Sequence, residues 1–265
     1  MFIREVCVFD LRLEDEGTVA CIELRRPPAN AIGPEQIGEL ESLLDRLSGE
    51  DSSRVLLFHA GGRCFSAGGD IKFMATVAHL ADAPERLMQF SADMQALFGR
   101  LENLPLPTVC ALSGVALGGG FELALSCDIR VAEPQVTVGL PAVKIGLLPG
   151  AGGTQRVSRL AGPAVARRLI LTGEPVGAEE AWRLGLVHEI APTGGALQRA
   201  REIAHGLAAS PPRTLAAIKR CIALAPSAEG LAAELEETLA LHREPATKAL
   251  IDAFVAKSRT GMELT

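Results

Sequence analysis

Short β-rich runs alternate with amphipathic helical stretches through the first half of this chain, and that alternation limits the folds open to it more than any other feature. Val19-Ala20-Cys21-Ile22-Glu23-Leu24, Val55-Leu56-Leu57-Phe58 and Thr108-Val109-Cys110-Ala111-Leu112 read as strands, the last two without polar alternation and so expected to be buried on both faces. Between the first two, Pro34-Glu35 opens a helix with Ile37, Leu40, Leu44 and Leu47 on one face. Between the second and third, residues 84–104 repeat the pattern with Leu87, Phe90, Met94, Leu97 and Leu101. Strand, helix, strand, helix in this order implies an α/β fold with parallel pairing. After about residue 195 the strand signals stop. Helices are expected instead over 196–209, 211–223, 228–242 and 245–257, punctuated by Ser210-Pro211 and Ala225-Pro226. A soft boundary near 200 therefore separates a core, 1–200, from a helical region, 201–265, that would pack on its own core or on a neighbouring subunit.

Composition removes several classes of function. With 48% hydrophobic and 22% charged residues, a chain of 265 residues is a compact globule and not a disordered one. The 26 basic residues fall short of the 32 acidic ones, for a net charge of −6, so no nucleic-acid partner is expected and any anionic ligand must be held by a local site. No tyrosine is present, which excludes mechanisms built on a Tyr general acid. The six cysteines stand singly at 7, 21, 64, 110, 127 and 221 with no CxxC pair, and read as reduced thiols of a cytoplasmic protein. The five histidines form no HExxH, and no metal-ligand set is visible. The opening MFIREVCVFD mixes charge with apolar residues unlike a signal peptide. The longest apolar run, 109–121, is too short for a bilayer and ends at Glu122, so no membrane partner is expected.

Glycine clusters at three places: Gly61-Gly62 with Gly68-Gly69, Gly118-Gly119-Gly120, and Gly150 with Gly152-Gly153. Each follows a strand or extended run, where backbone N–H groups become available to a negative ligand atom. The common phosphate and hydrolase motifs are absent. No GxxxxGK occurs, Gln155 stands where GxGxxG needs its last glycine, and Cys64 spoils GxSxG around Ser66, which reads as a turn hydroxyl. What remains is Leu117-Gly118-Gly119-Gly120-Phe121-Glu122-Leu123-Ala124, after an apolar strand. Glycines at a helix start let a carbonyl oxygen approach free N–H groups, and Glu122 stands one turn further on. That arrangement suits oxyanion stabilisation with a carboxylate that moves protons. Glu122 is equally explained as a first-turn acid favoured by the helix dipole.

Five stretches together resemble the crotonase, or enoyl-CoA hydratase/isomerase, superfamily: Arg26-Pro27-Pro28-Ala29-Asn30-Ala31, Phe65-Ser66-Ala67-Gly68-Gly69-Asp70-Ile71-Lys72, the glycine-triplet helix through Ala124, Leu147-Leu148-Pro149-Gly150-Ala151-Gly152-Gly153-Thr154-Gln155-Arg156, and Leu171-Thr172-Gly173 through to Leu186-Val187. The resemblance implies a spiral of ββα units with a helical C-terminal region, assembled as a homotrimer or a dimer of trimers. It implies an acyl-CoA thioester as substrate, with coenzyme A as part of that substrate and no separate cofactor. The oxyanion hole would be the backbone N–H groups of Gly69 and Gly119. Ala67, Asp70 and Ala142 would lie along the substrate, Asp70 in a structural part. Basic side chains near Arg25 and Arg26 would meet the coenzyme A phosphates, and Phe254 and Lys257 of the last helix, from this or a neighbouring subunit, would add to the coenzyme A site. Residues 73–100 and 138–148 would line the acyl pocket, with Ala75 and Ala78 leaving room for the chain.

One departure matters. A hydratase of this family holds its water between two glutamates, and the first matches Glu122. The second lies seven residues before the proline of Pro-Gly-Ala-Gly-Gly, which here is Ala142. Glu133 and Lys144 stand nearest, and neither is a natural replacement. Loss of one acid/base partner commonly costs about 10² to 10⁴ in rate. Hydration or dehydration of a 2-enoyl-CoA with Glu122 working alone is the leading expectation. A one-base isomerase or other enolate-forming enzyme is the alternative, although family isomerases tend to keep the acid that is missing here. A non-catalytic acyl-CoA-binding subunit is the third reading.

Overall fold

A computed structural model describes residues 9–49, 53–225 and 227–259. The opening residues 1–8 with Cys7, and Pro226 of the expected helix break, lie outside the described residues. Two compact units divide the chain, residues 1–208 and 209–265.

In the first unit two sheets grow side by side. Strands β1 (Phe9–Glu14), β2 (Val19–Leu24), β3 (Val55–Ala60), β5 (Thr108–Leu112), β7 (Ile129–Ala132) and β10 (Glu189–Ile190) form one sheet in the order β1-β2-β3-β5-β7-β10. Only β1 and β2 in it run antiparallel. The smaller sheet takes β4 (Cys64–Ser66), β6 (Val115–Leu117), β8 (Thr137–Gly139) and β9 (Val176–Gly177). Its first three strands are parallel, while β8 and β9 are antiparallel. Strands β3, β5 and β7 of the large sheet are each followed by one of the small sheet and then by helix, so β3-β4, β5-β6 and β7-β8 begin three successive ββα units. This is the expected spiral.

Helices α1 (Pro34–Gly49), α2 (Ile71–Val77), α3 (Ala83–Glu102), α4 (Gly119–Leu125), α5 (Gly153–Thr172), α6 (Ala178–Arg183) and α7 (Ala196–Ala208) complete the unit. The central strands of the large sheet are buried on both faces, which is why they carry no polar alternation. Ala20, Ile22, Leu56, Phe58 and Leu112 join the main core. Val19, Cys21, Val55, Leu57, Val109 and Ala111 face the opposite way, against the alanine stripe Ala196, Ala200, Ala204 and Ala208 of α7. Small residues every fourth position bring a helix close to a sheet. Helix α7 lies wholly in the first unit, and the sequence boundary at 200/201 passes through it.

The second unit comprises α8 (Pro212–Ala223), α9 (Gly230–His242) and α10 (Pro245–Arg259). Arg213 and Arg220 of α8 both pair with Glu237 of α9 at 2.6 Å. Ile222, Leu231 and Leu235 are exposed in the single chain. No helix among the described residues is long and apolar enough to cross a membrane. The five described cysteines are free thiols.

Candidate active site

Parallel pairing of β4, β6 and β8 places their carboxyl ends side by side, and the residues that follow those three strands make the site. Ser66 is level with Ala116, and Leu117 with Gly139. The Ser66 hydroxyl donates to Asn30 O (2.7 Å) and accepts from Gly68 N–H, so it fixes the turn after β4 as expected of a strand-end hydroxyl. Gly68 has φ +102°, and a Cβ there would stand 2.8 Å from Gly119 N. Glycine is therefore required by both backbone angle and space. A Cβ on Gly119 would in turn lie 3.2 Å from Gly69 N. The two amides are thus neighbours, and neither is engaged by another group among the described residues. Gly119 opens α4, whose dipole adds to the pull on an anion.

Glu122 is buried on α4, 3% exposed. Its Oε1 accepts two backbone hydrogen bonds, from Ala151 N–H (2.9 Å) and Gly153 N–H (2.8 Å). Oε2 has no hydrogen-bond partner among the described residues, and Glu122 lines a cavity of about 360 Å³ together with Gly69 and Gly119. Burial pushes the Glu122 carboxyl above its ordinary value, while the amides of Gly153 and Ala151 and the charge of Arg156 pull the other way. The C-terminal end of the same helix is held by Arg130, fully buried, which donates to the carbonyls of Ala124 (3.3 Å) and Cys127 (2.5 Å). Its Nε donates to Leu186 O (2.7 Å).

The other expected residues divide clearly. Ala67 and Ala142 line the cavity beside Glu122. Met74, Phe90, Met94, Leu117, Ile145 and Leu147 make it apolar, so both segments expected at the acyl pocket contribute. Ala75 and Ala78 do not line it: both are exposed, Ala75 on α2 and Ala78 at its C-terminal cap. Asp70 caps α2, accepting from the N–H groups of Lys72 (2.9 Å) and Phe73 (3.1 Å), and pairs with Arg26 Nη1 at 2.7 Å. Burial would raise its carboxyl, but Arg26 and the two amides together hold it below the usual range. Arg25 is taken up by Asp10 and Glu23. A second cavity of about 330 Å³, lined by Arg26, Asp70 and Lys72, shares Ala67, Gly69 and Ile71 with the first. Phe254 is exposed on α10, and the Lys257 side chain lies outside the described residues.

Both side chains weighed against the acid expected at Ala142 are engaged by other groups. Glu133 is buried in a different cavity, where its carboxylate accepts from Gln135 and from Ala196 N–H. Lys144 borders the Glu122 cavity but its Nζ is 2.6 Å from Glu174. Two supporting residues, Arg130 and Glu102, escaped the sequence reading, and Arg156 was named only as the end of a matching stretch, with no role. A charge inside the apolar run Ile129-Arg130-Val131-Ala132 was the available signal for the first. Glu102, at the end of a long amphipathic helix, gave none.

A model of the enoyl-CoA hydratase/isomerase family matches residues 14–261. A probable enoyl-CoA hydratase of Bacillus subtilis strain 168 is 38% identical over 201 residues, 76% of each chain. A short-chain-enoyl-CoA hydratase of Clostridium acetobutylicum is 35% identical over 234 residues, 88% of this chain and 86% of its own. The crystal structure of an enoyl-CoA hydratase from Bacillus anthracis superposes with a TM-score of 0.88 at 30% identity, covering 94% of this chain and 96% of that one.

Proposed function

The chain belongs to the enoyl-CoA hydratase/isomerase family, and we propose that within it this enzyme hydrates 2-enoyl-CoA thioesters with Glu122 as its single acid/base group. The observation that carries this reading is the carboxylate itself. Glu122 is anchored through one oxygen by Ala151 and Gly153, its other oxygen has no partner among the described residues, and the residue lines the same cavity as Gly69 and Gly119. A binding protein has no use for such a group next to a thioester.

The thioester oxygen sits between the N–H groups of Gly69 and Gly119. Glu122 takes a proton from water, the water oxygen bonds to the β-carbon, and the electrons of the double bond move to the thioester oxygen. That oxyanion is what the two amides stabilise. The carboxyl then returns the proton to the α-carbon, so one water is consumed and Glu122 ends ionised as it began. Coenzyme A enters as part of the substrate, and no separate cofactor is needed. Its phosphates fit the cavity lined by Arg26 and Lys72, and Lys72 has no ion pair among the described residues. The exposed Ile222, Leu231 and Leu235 support burial of the second unit's helices in a homotrimer or a dimer of trimers. Free cysteines support a cytoplasmic setting.

Ala142 favours one second reading, migration of a double bond, which needs a single proton shuttle and no activated water. Crotonyl-CoA assayed at high enzyme concentration separates the two. Loss of enoyl absorbance that disappears in Glu122→Gln is the expected result. Absence of hydration with conversion of a 3-enoyl-CoA to its 2-enoyl isomer would overturn hydration in favour of migration.

A further inference from the structure

Glu122 receives its hydrogen bonds from a loop, so whatever fixes that loop fixes the carboxylate. Two side chains clamp it. Gln95 of α3 donates Nε2–H to Gly150 O (2.7 Å) near the surface. Arg156 of α5 donates Nη1–H to Ala151 O (2.8 Å), the carbonyl of the residue whose own N–H holds Glu122 Oε1. The guanidinium fills the space under Gly152, where φ is +100° and any Cβ would collide with Nη1. The Arg156 side chain is 6% exposed. Its Nε and Nη2 both lie 3.0 Å from Glu102 Oε2, at the end of α3, while Glu102 Oε1 takes Arg159 at 2.8 Å. A buried guanidinium needs such a partner, and its planar fork suits one carboxylate and one carbonyl together.

We propose that Arg156, fixed by Glu102, is a positioning residue for Glu122: it holds the Ala151 peptide with its N–H on Oε1 and keeps a positive charge behind the carboxylate. This inference rests on the reading of Glu122 as the acid/base group. The charge stabilises the ionised form of Glu122 and opposes the effect of burial. A negative Glu102 3.0 Å from the guanidinium works against that field by its opposite sign. Arg130 of β7 sits at the far, C-terminal end of α4, and beyond it the other elements around α4 bring no competing charge among the described residues. Met94, Leu97 and Phe98 of α3, Phe65 and Ser66 of β4 and Ala116 of β6 are buried and uncharged. Asp93 on α3 bonds Gln89 and Arg100 pairs with Asp45. Cys64 turns its thiol to the carbonyls of Ala29 and Val115, and Lys144 is paired with Glu174.

The test compares pH profiles of kcat/KM for crotonyl-CoA in the wild type, Glu102→Gln, Arg156→Gln and Arg156→Lys. In parallel, the Glu122 titration is followed by carboxyl carbon-13 NMR as the signal lost in Glu122→Gln. Removing the cation should move the acidic limb and the NMR titration up, and removing its counter-charge should move both down, each by about half a unit to one unit. Arg156→Lys keeps the charge without the fork, so the limb stays in place, kcat falls about tenfold and KM changes little. A role in stability alone predicts a lower melting temperature with no opposed shifts, and that result overturns the proposal. If Arg156→Gln does not fold, a titration unmoved in Glu102→Gln, whose carboxylate is partly exposed, overturns it equally. Opposed NMR shifts without matching rate limbs support the positioning role and remove the acid/base reading of Glu122 instead.

Discussion

After β6 the chain turns into α4, every residue of which is buried, and its carboxylate receives two amide hydrogen bonds. After β8 it turns into the short helical segment Pro141–Ile145, none of which is buried, and presents the methyl group of Ala142 to the same cavity. The two strands are parallel neighbours and deliver their ends to the same place. What differs is the support. Glu122 is backed by the Gly150–Gly153 loop, by Arg156 and Glu102, and by Arg130 at the far end of its helix. The Ala142 segment is surrounded by exposed Val143, Ile145, Leu147 and Leu148. A carboxylate able to move protons in an apolar cavity needs fixed donors as well as a position, and only one wall of this cavity supplies them.

Removing the supported acid should have the largest effect. Glu122→Gln keeps an Oε1 that accepts from Ala151 and Gly153, so crotonyl-CoA binding by calorimetry should stay within a few-fold while kcat falls by about 10² to 10⁴. A variant that turns over normally would move the acid/base role elsewhere. Obstructing the proposed oxyanion hole comes next. A Cβ on Gly119 would lie 2.5 Å from Met94 Cε and 3.2 Å from Gly69 N. Gly119→Ala should therefore lower kcat by about 10² to 10³ with the fold intact by circular dichroism, and an unchanged kcat would show that the oxyanion is held elsewhere.

The unsupported wall should respond less. Ala142→Glu returns an acid to the cavity edge, and crotonyl-CoA hydration should rise, but by no more than about tenfold, because no buried donors orient the new carboxylate. A gain of several hundredfold would mean that residue identity, and not support, separates the two walls. The smallest effect is on stability. Burial raises the Glu122 carboxyl, so its contribution is fully present below the unfolded carboxylate value and is lost as pH rises through the folded one. Glu122→Gln should thus melt about 1–3 °C above the wild type near pH 8, with the margin closing as the pH falls toward 4. A constant margin across that range would mean that Glu122 titrates normally.

Much of the architecture was legible because burial leaves a periodic trace. Helix α1 begins at Pro34 as expected, and the helices expected over 84–104, 196–209 and 211–223 are found at Ala83–Glu102, Ala196–Ala208 and Pro212–Ala223. The strands of the small sheet were not legible. Cys64–Ser66, Val115–Leu117 and Thr137–Gly139 have three residues each, too few to show any period. Yet these are the strands that carry the candidate site. Gly69, Gly119 and Glu122 could be named from local glycine spacing and from the family resemblance, since a close backbone approach demands glycine wherever it occurs.

The sequence by itself determined the α/β class, the helical C-terminal region and the glycine turns, because each is written in residue types close together in the chain, while the glutamate expected at Ala142 is what the family resemblance implies. The tertiary structure decided which charges reach the site. Glu102 joins Arg156 across 54 residues, and the Ala151 amide meets Glu122 across 29. It also placed Glu133 in a separate cavity and Ala75 and Ala78 on the surface. Electrostatic fields and hydrogen bonds depend on distance in space, which chain order does not encode until the parallel strands have paired.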